Sequence, residues 1–367
     1  MNRRELLLNA AALPVAAAQT TNPASGHRWW IGEVKRLNLR HTWTTVMSSS
    51  QFRETLYLRY EQDGITGRGE GAGIVRYGET AQKGLELLQS CGSWLPLRDA
   101  WQYARIMQEA FEKIEGNFAF KAAVDIALLD WVSQRAGVPL WKFLGLDAAG
   151  TPLTTFTIGI DKADVIKQKV REAEPYPELK VKVGLDNDEE VISAVRSVTK
   201  KPLRVDANEG FKSKEQAVEK INWLEKQGAL SIEQPLPAAN LDDMNWIRKR
   251  VHIPIIADEA CLHPADIPKL APHFDGVNVK VDKCGGLLEA RRMIDMARAL
   301  KLHTMIGCMV SSSVAITAAA QLSPLVDHAD LDGNLLISND PFEGVKVVAG
   351  KLVLADRPGL GLLPRRG

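Results

Sequence analysis

Hydrophobic and polar positions follow two different rhythms in the first 150 residues. Over residues 30–73 they alternate, which is typical of strands with one buried face, and Asp63 and Gly64 mark a turn between two of these strands. Over residues 80–144 the hydrophobic positions recur at the spacing of helices, most clearly in AFKAAVDIALLDWVSQRAGVPLWKFLG. We therefore expect a small sheet followed by helices, an α+β domain over residues 26–150.

Short apolar strands alternate with helical segments after residue 150. The strands are predicted in TTFTIGI, LKVKVG, LRVDANEG, LSIEQPLP, IPIIADEA, GVNVKVDKCGG and HTMIGCMV. This alternation indicates a parallel sheet with right-handed crossovers, and about eight such units over roughly 190 residues favour a barrel. We assign the barrel to residues 151–340. The tail, residues 341–367, is predicted to form a hairpin that packs back on the first domain and completes it.

Composition narrows the class of protein without changing this picture. Of the 367 residues, 45% are hydrophobic and 25% are charged, which is typical of a globular protein. A net charge of +1 removes the electrostatic case for nucleic-acid binding. No run reaches the roughly 18 apolar residues of a membrane span, so no membrane anchor is expected. The four cysteines lie far apart, without the spacing of a zinc site. The sequence leaves the assembly state open and is compatible with a homo-oligomer.

The first 25 residues, MNRRELLLNAAALPVAAAQTTNPAS, have the features of a transport signal. Arg3 and Arg4 precede a short apolar stretch that ends in an alanine run. Adjacent arginines in this position fit a twin-arginine signal. We expect residues 1–25 to direct the chain to the periplasm. The alternative is an uncleaved extension on a cytoplasmic protein, since Glu5 and Asn9 weaken the apolar stretch.

Charged residues stand at the carboxyl ends of consecutive predicted barrel strands. The spacings (182 to 206, 206 to 233, 233 to 258 and 258 to 280) are 24, 27, 25 and 22 residues, each about one strand–helix unit. Carboxyl ends of barrel strands meet at one mouth, where the catalytic residues of barrels lie. A helix cap or a solvated strand edge explains one such residue readily, but not a series with the barrel period. The series consists of Lys180, Lys182, Asp206, Glu233, Asp258 and Lys280.

The residue types at this mouth suit metal-dependent proton transfer. Three neighbouring carboxylates repel one another without a cation, and hard oxygen ligands in an open arrangement suit Mg²⁺. A lysine near such a cation has its neutral form favoured and can act as a base. Two lysines on opposite sides could remove a proton from one face of a carbon and return it to the other, as in a racemase or epimerase. Asn208 and Glu259 are candidates for a supporting shell, with a capping role as the alternative.

Five of these segments, LKVKVG, RVDANEG, IEQPLP, IADEA and KVDKCGG, resemble the enolase superfamily in its muconate-lactonizing subgroup. The resemblance covers nearly the whole chain after residue 25 and includes GRGEGAGIVRYGET in the first domain. It implies a (β/α)7β barrel closed by an α+β capping domain. It also implies one Mg²⁺ per active site, held by Asp206, Glu233 and Asp258.

The same resemblance implies roles for the lysines. Lys182 and Lys280 are the expected acid/base pair, with Lys180 as the electrostatic neighbour of Lys182. Lys283 is the less favoured second base, because the family's base is the first lysine of its stretch. In this superfamily a Lys or His base acts with Mg²⁺, which stabilises an enediolate.

Asp330-Leu331-Asp332 resembles the Asp-x-Asp with which dipeptide epimerases of this subgroup hold the free α-ammonium of the substrate. Two carboxylates one residue apart suit an ammonium group with three donors, although a solvated turn has the same spacing. Epimerases acting on Ala-Glu can carry an arginine in a loop of the capping domain. Ser50 aligns near that position and Arg53 is offset from it, which leaves the preferred second residue open.

The resemblance thus implies epimerisation at the α-carbon of the carboxyl-terminal residue of a dipeptide. L-Ala-D/L-Glu from peptidoglycan is the expected substrate, because export would place the enzyme where murein peptides are released. The alternatives are an epimerase of other dipeptides and an N-acylamino-acid racemase or cycloisomerase, which would not need Asp330 and Asp332. A non-catalytic binding module is disfavoured by the retention of both lysines and all three carboxylates.

Overall fold

The computed structural model describes residues 30–46, 49–95 and 98–365 of the chain. The predicted transport signal, residues 1–25, lies outside this part. The described chain opens with an antiparallel sheet of β1 (Trp30–Thr44), β2 (Ser49–Gln62) and β3 (Ile65–Gly71) in that order. The predicted turn joins β2 to β3, and its residues Asp63 and Gly64 both have positive φ, as a tight hairpin turn requires.

Among the described residues, four α-helices follow the sheet in the capping domain, and the longest lies between the sheet and the barrel. Strand β3 presents glycines to this helix, and a Cβ at Gly69 would lie only 1.9 Å from the carbonyl oxygen of Ala123. Only glycine permits this approach, so the sheet and the helix pack at backbone distance. The helices are α1 (Ala81–Ser90), α2 (Tyr103–Lys113), α3 (Phe118–Arg135) and α4 (Leu140–Phe143).

Eight parallel strands follow in chain order and form one sheet. A parallel bridge between Thr154 and Ala329 joins the first strand region to the last and closes the barrel. The strands are β4 (Phe156–Ile158), β5 (Leu179–Lys182), β6 (Leu203–Asp206), β7 (Ala229–Glu233), β8 (Ile255–Ala257), β9 (Gly276–Lys280), β10 (His303–Gly307) and β11 (His328–Asp330). The helices that connect them are α5 (Ala163–Glu172), α6 (Asp188–Arg196), α7 (Lys214–Lys226), α8 (Leu241–Arg248), α9 (Ile267–Leu270), α10 (Val281–Cys284), α11 (Leu287–Ala299) and α12 (Ser313–Gln321). The predicted (β/α)7β barrel with an α+β capping domain is confirmed. Within the described ranges, no helix is both long and apolar enough to cross a bilayer.

The eighth barrel strand was not among the seven strand segments predicted from the sequence, the last of which is HTMIGCMV. His328–Asp330 is itself a strand and pairs with β10, so that Gly307 lies opposite Asp330. With three residues it is too short to show the alternation by which strands are recognised. Asp330 therefore stands at a strand end, like the other charged residues of the mouth.

The tail contacts the capping domain, and its central segment forms the predicted hairpin. The Leu360 N–H donates to Asp130 at 2.8 Å, and the Leu140 N–H donates to the Gly359 carbonyl oxygen at 2.8 Å. The tail strands are β12 (Phe342–Glu343), β13 (Lys346–Val348), β14 (Lys351–Val353) and β15 (Leu363–Pro364), with β13 paired to β14 and β12 to β15.

Buried carboxylates join the capping domain to the barrel. Glu70 of β3 accepts a hydrogen bond of 3.0 Å from the Ser312 N–H at the start of α12. Asp125 of α3 accepts from the first N–H groups of α11, and Asp282 accepts from Ala72 at 2.8 Å. Burial raises the pKa of all three carboxyl groups, to about 7 for Asp125 and Asp282, although the hydrogen bonds favour the ionised form. These contacts fix the capping domain against the barrel.

Candidate active site

Strand register brings the three predicted carboxylates together at the carboxyl end of the barrel. In the parallel ladders Lys182 lies opposite Asp206, and Asp206 lies opposite Glu233. Asp258 directly follows β8, the next strand. One oxygen from each of the three carboxylates lies within 4.8 Å of the others, and all three side chains are buried. The mouth therefore holds a compact group of oxygen ligands.

Lys182 and Lys280 lie on different sides of this group. Lys182 Nζ donates to Asp206 at 2.6 Å, and Lys280 Nζ donates to Asp258 at 2.8 Å. Both side chains line a cavity of about 430 Å³ between the barrel and the capping domain. Each lysine is thus held by one carboxylate and still reaches the cavity, as an acid/base group needs to.

Lys180 has a different environment from Lys182. Its side chain is 1% exposed, and its Nζ lies 2.7 Å from Asp330, 2.9 Å from Glu233 and 3.1 Å from Asp206. Burial alone would lower the pKa of Lys180, but these three carboxylates outweigh it and raise the pKa well above the usual value. Lys180 is therefore held in its charged form and, unlike Lys182 and Lys280, does not line the 430 Å³ cavity, which suits an electrostatic neighbour rather than a base.

The lysines compensate the three carboxylates unequally. Burial raises the pKa of Asp206, but two lysine ammonium groups outweigh it and lower the pKa to about 2. Burial also acts on Asp258, whose pKa is held well below its usual value by Lys280 and Lys283. For Glu233 the balance is reversed, because burial and the neighbouring carboxylates outweigh one lysine and raise the pKa to about 7. Negative charge in the cluster is therefore not fully matched by the lysines.

This donor set fits a divalent cation. The three ligand atoms are carboxylate oxygens, which Mg²⁺ prefers, and neither a cysteine nor a histidine belongs to this cluster among the described residues. The raised pKa of Glu233 indicates that positive charge is lacking near this carboxylate. A cation at this position would supply that charge. Asp206, Glu233 and Asp258 are thus the residues that could hold a metal.

Asp330 and Asp332 lie beside this cluster, on the loop side of β11. Asp330 accepts hydrogen bonds from the Thr155 hydroxyl at 2.7 Å and from Lys180 at 2.7 Å. Asp332 accepts from the Thr157 N–H at 2.6 Å. Burial and the charge of Asp330 raise the pKa of Asp332 to about 7. Both carboxylates line a cavity of about 30 Å³ that also reaches Lys182 and Lys280, so the predicted pair is adjacent to the lysines.

Asn208 and Glu259 lie beside the carboxylate cluster, where they could support it. The Asn208 N–H donates to Asp206 at 2.9 Å, and its side-chain amide donates to Glu259 at 3.0 Å. Both residues line the 430 Å³ cavity. Burial, together with the charges of Asp258 and Asp206, raises the pKa of Glu259 to about 7. The pair therefore connects two of the three carboxylate-bearing loops.

Ser50 and Arg53 lie near the start of β2, and both line the 430 Å³ cavity. The Ser50 hydroxyl donates to the Phe52 carbonyl oxygen at 2.6 Å, so it is already engaged. The Arg53 guanidinium makes no ion pair with any carboxylate in the described part of the chain, and burial lowers its pKa. Arg53 rather than Ser50 is thus the side chain that offers charge to the cavity.

Three polar residues of the site were missed or undervalued by sequence reasoning. Asn278 donates to Glu233 at 3.0 Å, and the Gln234 side chain accepts from the Asp258 N–H at 3.1 Å. Lys283 donates to both the carbonyl and the carboxylate of Asp258, the latter at 2.6 Å. Asn278 stands two residues before Lys280, on the same face of its strand, so the alternation of the strand could have identified it.

Two family models match this chain. The family model described as "Mandelate racemase / muconate lactonizing enzyme, N-terminal domain" matches residues 33–145. The model described as "Enolase C-terminal domain-like" matches residues 163–366, more than half of the chain. The chain belongs to the enolase superfamily.

Relatives and solved structures of similar proteins narrow the class. The L-Ala-D/L-Glu epimerase of Bacteroides thetaiotaomicron is 43% identical over 89% of this chain and 85% of its own length. The L-Ala-D/L-amino acid epimerase of Pedosphaera parvula is 40% identical over 90% of this chain and 97% of its own. A dipeptide epimerase from Enterococcus faecalis, solved with Mg and L-Leu-L-Tyr, has a TM-score of 0.84 at 29% identity, over 91% of this chain and 98% of its own. The protein is therefore an enzyme, an isomerase of the racemase and epimerase type.

Proposed function

We propose that this protein is a Mg²⁺-dependent dipeptide epimerase that inverts the α-carbon of the carboxyl-terminal residue. One observation carries the proposal: Lys182 and Lys280 reach one cavity from different sides of a carboxylate cluster, and a second pair of carboxylates stands beside them. The first arrangement suits proton transfer on two faces of a carbon, and the second suits a free ammonium group.

The carboxylate cluster would fix the reacting end of the substrate. Asp206, Glu233 and Asp258 would hold the Mg²⁺, as the Enterococcus relative solved with Mg suggests. Bound there, the cation supplies Lewis-acid stabilisation of the negative charge that develops on the substrate carboxylate. Lys180 adds a fixed positive charge to the same interior through its contacts with Glu233 and Asp206.

The two lysines would divide the proton transfer between them. One lysine, in its neutral form, takes the α-proton from its own side of the carbon. The other, in its ammonium form, delivers a proton to the opposite side, and the lysines exchange roles in the reverse direction. Lys182 beside Asp206 and Lys280 beside Asp258 are placed for these tasks because each is held on one flank of the cluster.

Asp330 and Asp332 would bind the α-ammonium of the amino-terminal residue. Asp330 is oriented by the Thr155 hydroxyl, and Asp332 by the Thr157 N–H. A substrate ammonium between them would make charge-assisted hydrogen bonds in a buried site, where such bonds are strong. This requirement favours free dipeptides over N-acylated amino acids.

We propose L-Ala-D/L-Glu as the substrate, which the name of the Bacteroides relative supports. Arg53 is the charged group available in the large cavity to pair with a glutamate side chain. Replacing it, as in Arg53→Gln, should lower kcat/KM for L-Ala-L-Glu by about 10- to 100-fold, the range for a charged hydrogen bond. The same change should have little effect on L-Ala-L-Gln. An equal loss with both substrates would show that Arg53 does not select glutamate.

We further propose that the protein acts in the periplasm on peptides released from peptidoglycan. The support is the sequence of residues 1–25, in which Arg3 and Arg4 precede a short apolar stretch and an alanine run. An enzyme that folds around its metal before transport would suit the twin-arginine route. The periplasm is also where murein peptides are released.

The function is tested by incubating the enzyme with Mg²⁺ and a library of L,L-dipeptides in D₂O. Mass spectrometry should find a gain of one deuterium in a subset of the dipeptides, and chiral chromatography should find inversion of the second residue. N-acylated amino acids in the same screen test the racemase alternative. Exchange confined to N-acylated amino acids would replace the proposal by that alternative, and no exchange at all would support a binding module.

A further inference from the structure

Two cavities of very different size adjoin the proposed lysines. The cavity beside Asp258 and Lys280 measures about 430 Å³. The cavity beside Asp330 and Asp332 measures about 30 Å³, which is room for about two water-sized groups. A dipeptide that spans both would thus have a spacious side for one residue and a confined side for the other.

The indole of Trp43 forms a wall of the small cavity. Trp43 also lines the 430 Å³ cavity and a third cavity of about 30 Å³ on its other side. Thr157 and Leu336 line both small cavities, so the ring stands where these two would otherwise join. Removing the ring would therefore open the space beside Asp330 and Asp332 outward.

The Trp43 backbone is fixed by hydrogen bonds made before and after it in the chain. Before Trp43, the Arg40 N–H donates to the Leu336 carbonyl oxygen at 2.9 Å, and directly after it the Thr44 carbonyl oxygen accepts from the Ile160 N–H at 3.2 Å. Trp43 also packs, with Leu336, against a buried apolar cluster that contains Val310. A strand held to the barrel at two points leaves its tryptophan little freedom to move aside.

We propose that Trp43 is a specificity-determining residue that restricts the amino-terminal residue of the substrate to a small side chain. The inference rests on the proposed dipeptide function and on the geometry of the two cavities. If Asp330 and Asp332 hold the ammonium, the α-carbon is one bond away and its side chain begins within the small cavity. A cavity of about 30 Å³ leaves little space beside the ammonium for more than a methyl group, and a longer side chain would meet Trp43 in its wall.

The proposal predicts unequal tolerance at the two positions of the substrate. The carboxyl-terminal residue lies toward the 430 Å³ cavity and can vary in size. The amino-terminal residue cannot, because a hydrophobic pocket discriminates about 10- to 200-fold for each misfitting carbon. A wild-type enzyme that accepts L-Ala in the first position should therefore reject L-Leu and L-Phe there.

The test compares Trp43→Ala and Trp43→Phe with the wild type on dipeptides that differ only in the first residue. The series carries L-Ala, L-Val, L-Leu or L-Phe before whichever second residue the wild type prefers after L-Ala. In Trp43→Ala the ratio of kcat/KM for L-Leu over L-Ala should rise about tenfold or more. Trp43→Phe should give an intermediate ratio, and it serves if the alanine variant does not fold. Trp101→Ala is the matched control, because Trp101 is an exposed tryptophan of the capping domain that lines neither cavity.

The outcomes separate this inference from the proposed function. A wild type that epimerises L-Ala dipeptides but also accepts L-Leu equally in the first position contradicts the inference alone. An unchanged ratio in folded Trp43 variants does the same, and so does an equal rise in Trp101→Ala. A wild type without activity on any dipeptide overturns the proposed function and the inference with it.

Discussion

The Lys180 ammonium joins the candidate metal cluster to Asp330, whose Oδ2 lies 2.7 Å from Lys180 Nζ. The same nitrogen lies 2.9 Å from Glu233 and 3.1 Å from Asp206. Because Lys180 is buried and shared among three carboxylates, the proposed ammonium site and the proposed metal site are electrostatically coupled. A change of charge in one site should therefore alter ligand binding at the other.

The proposed ammonium site is tested by Asp332→Asn. The change removes one negative charge beside Asp330 and should raise KM for L-Ala-L-Glu by about 10- to 100-fold, with a smaller effect on kcat, because binding loses a charge-assisted hydrogen bond. KM is measured in initial-rate assays, with the N-acetylated dipeptide as the control substrate. The variant should not weaken binding of that analogue, which has no ammonium group. An equal loss for both substrates would mean that Asp332 supports the loop rather than the ammonium.

The metal site is tested by chelation and by Asp258→Asn. Exhaustive EDTA treatment should abolish activity and added Mg²⁺ should restore it, since three carboxylates at one mouth require a cation. Asp258→Asn should weaken Mg²⁺ binding in titration calorimetry by about tenfold or more and remove turnover. Asp275→Asn is the control, because Asp275 lies before β9, at the opposite end of the barrel strands. Full activity after chelation would disprove the metal requirement.

The buried carboxylates between capping domain and barrel predict a pH-dependent stability. The folded pKa of Asp282 is raised from 3.8 to about 7, so its contribution is complete below about pH 4 and is lost as pH rises through about 7. Asp282→Asn keeps an acceptor oxygen for the Ala72 N–H but cannot ionise. The free energy of unfolding should therefore fall less between about pH 5 and about pH 8 in this variant than in the wild type, by about 1–3 kcal/mol, and Tm should fall correspondingly less. Differential scanning calorimetry measures it. Asp295→Asn, at an exposed carboxylate paired with Arg291, should keep the wild-type slope, and identical slopes in all three proteins would refute the assignment.

The proposed export is tested with a reporter fused to residues 1–30. The reporter should reach the periplasm, and Arg3→Lys with Arg4→Lys should retain it in the cytoplasm, because a twin-arginine signal needs both arginines. Asn9→Ala keeps the arginines and should still be exported. A reporter that stays in the cytoplasm behind the native segment would remove the support for a periplasmic role.

The barrel and its charged mouth could be predicted because both are repeated features. The strand–helix alternation and the spacing of Lys182, Asp206, Glu233 and Asp258 recur with one period, so each residue reinforces the next. The strand β11 lacks such support, since three residues carry no readable period. Its assignment had to wait for the pairing with β10.

Side-chain partnerships across the barrel could not be predicted in this way. Nothing in the sequence indicates that Lys180 contacts Asp330, 150 residues away, or that Trp43 stands beside Asp332. These contacts depend on the closure of the barrel and on the way the capping domain is fixed to it. Gln234 is a further case, because its role depends on a positive φ of 32° that only the folded loop imposes.

The central claim is that Lys182 and Lys280 act on opposite faces of the α-carbon. Replacing either lysine with alanine should stop net epimerisation, because a proton can no longer be delivered to one face. The surviving lysine can still remove the α-proton that points at it and return solvent deuterium to the same face. The exchange rate should fall by about 10²- to 10⁴-fold, as expected for loss of an acid/base group.

The most direct measurement is α-hydrogen exchange by NMR in D₂O, with L-Ala-L-Glu and L-Ala-D-Glu tested separately against Lys182→Ala and Lys280→Ala. We predict that each variant catalyses slow exchange without inversion, and that the two variants act on different epimers. A single variant that still interconverts the epimers at near the wild-type rate would contradict the two-lysine mechanism. Exchange of the same epimer by both variants would contradict the assignment of the lysines to opposite faces.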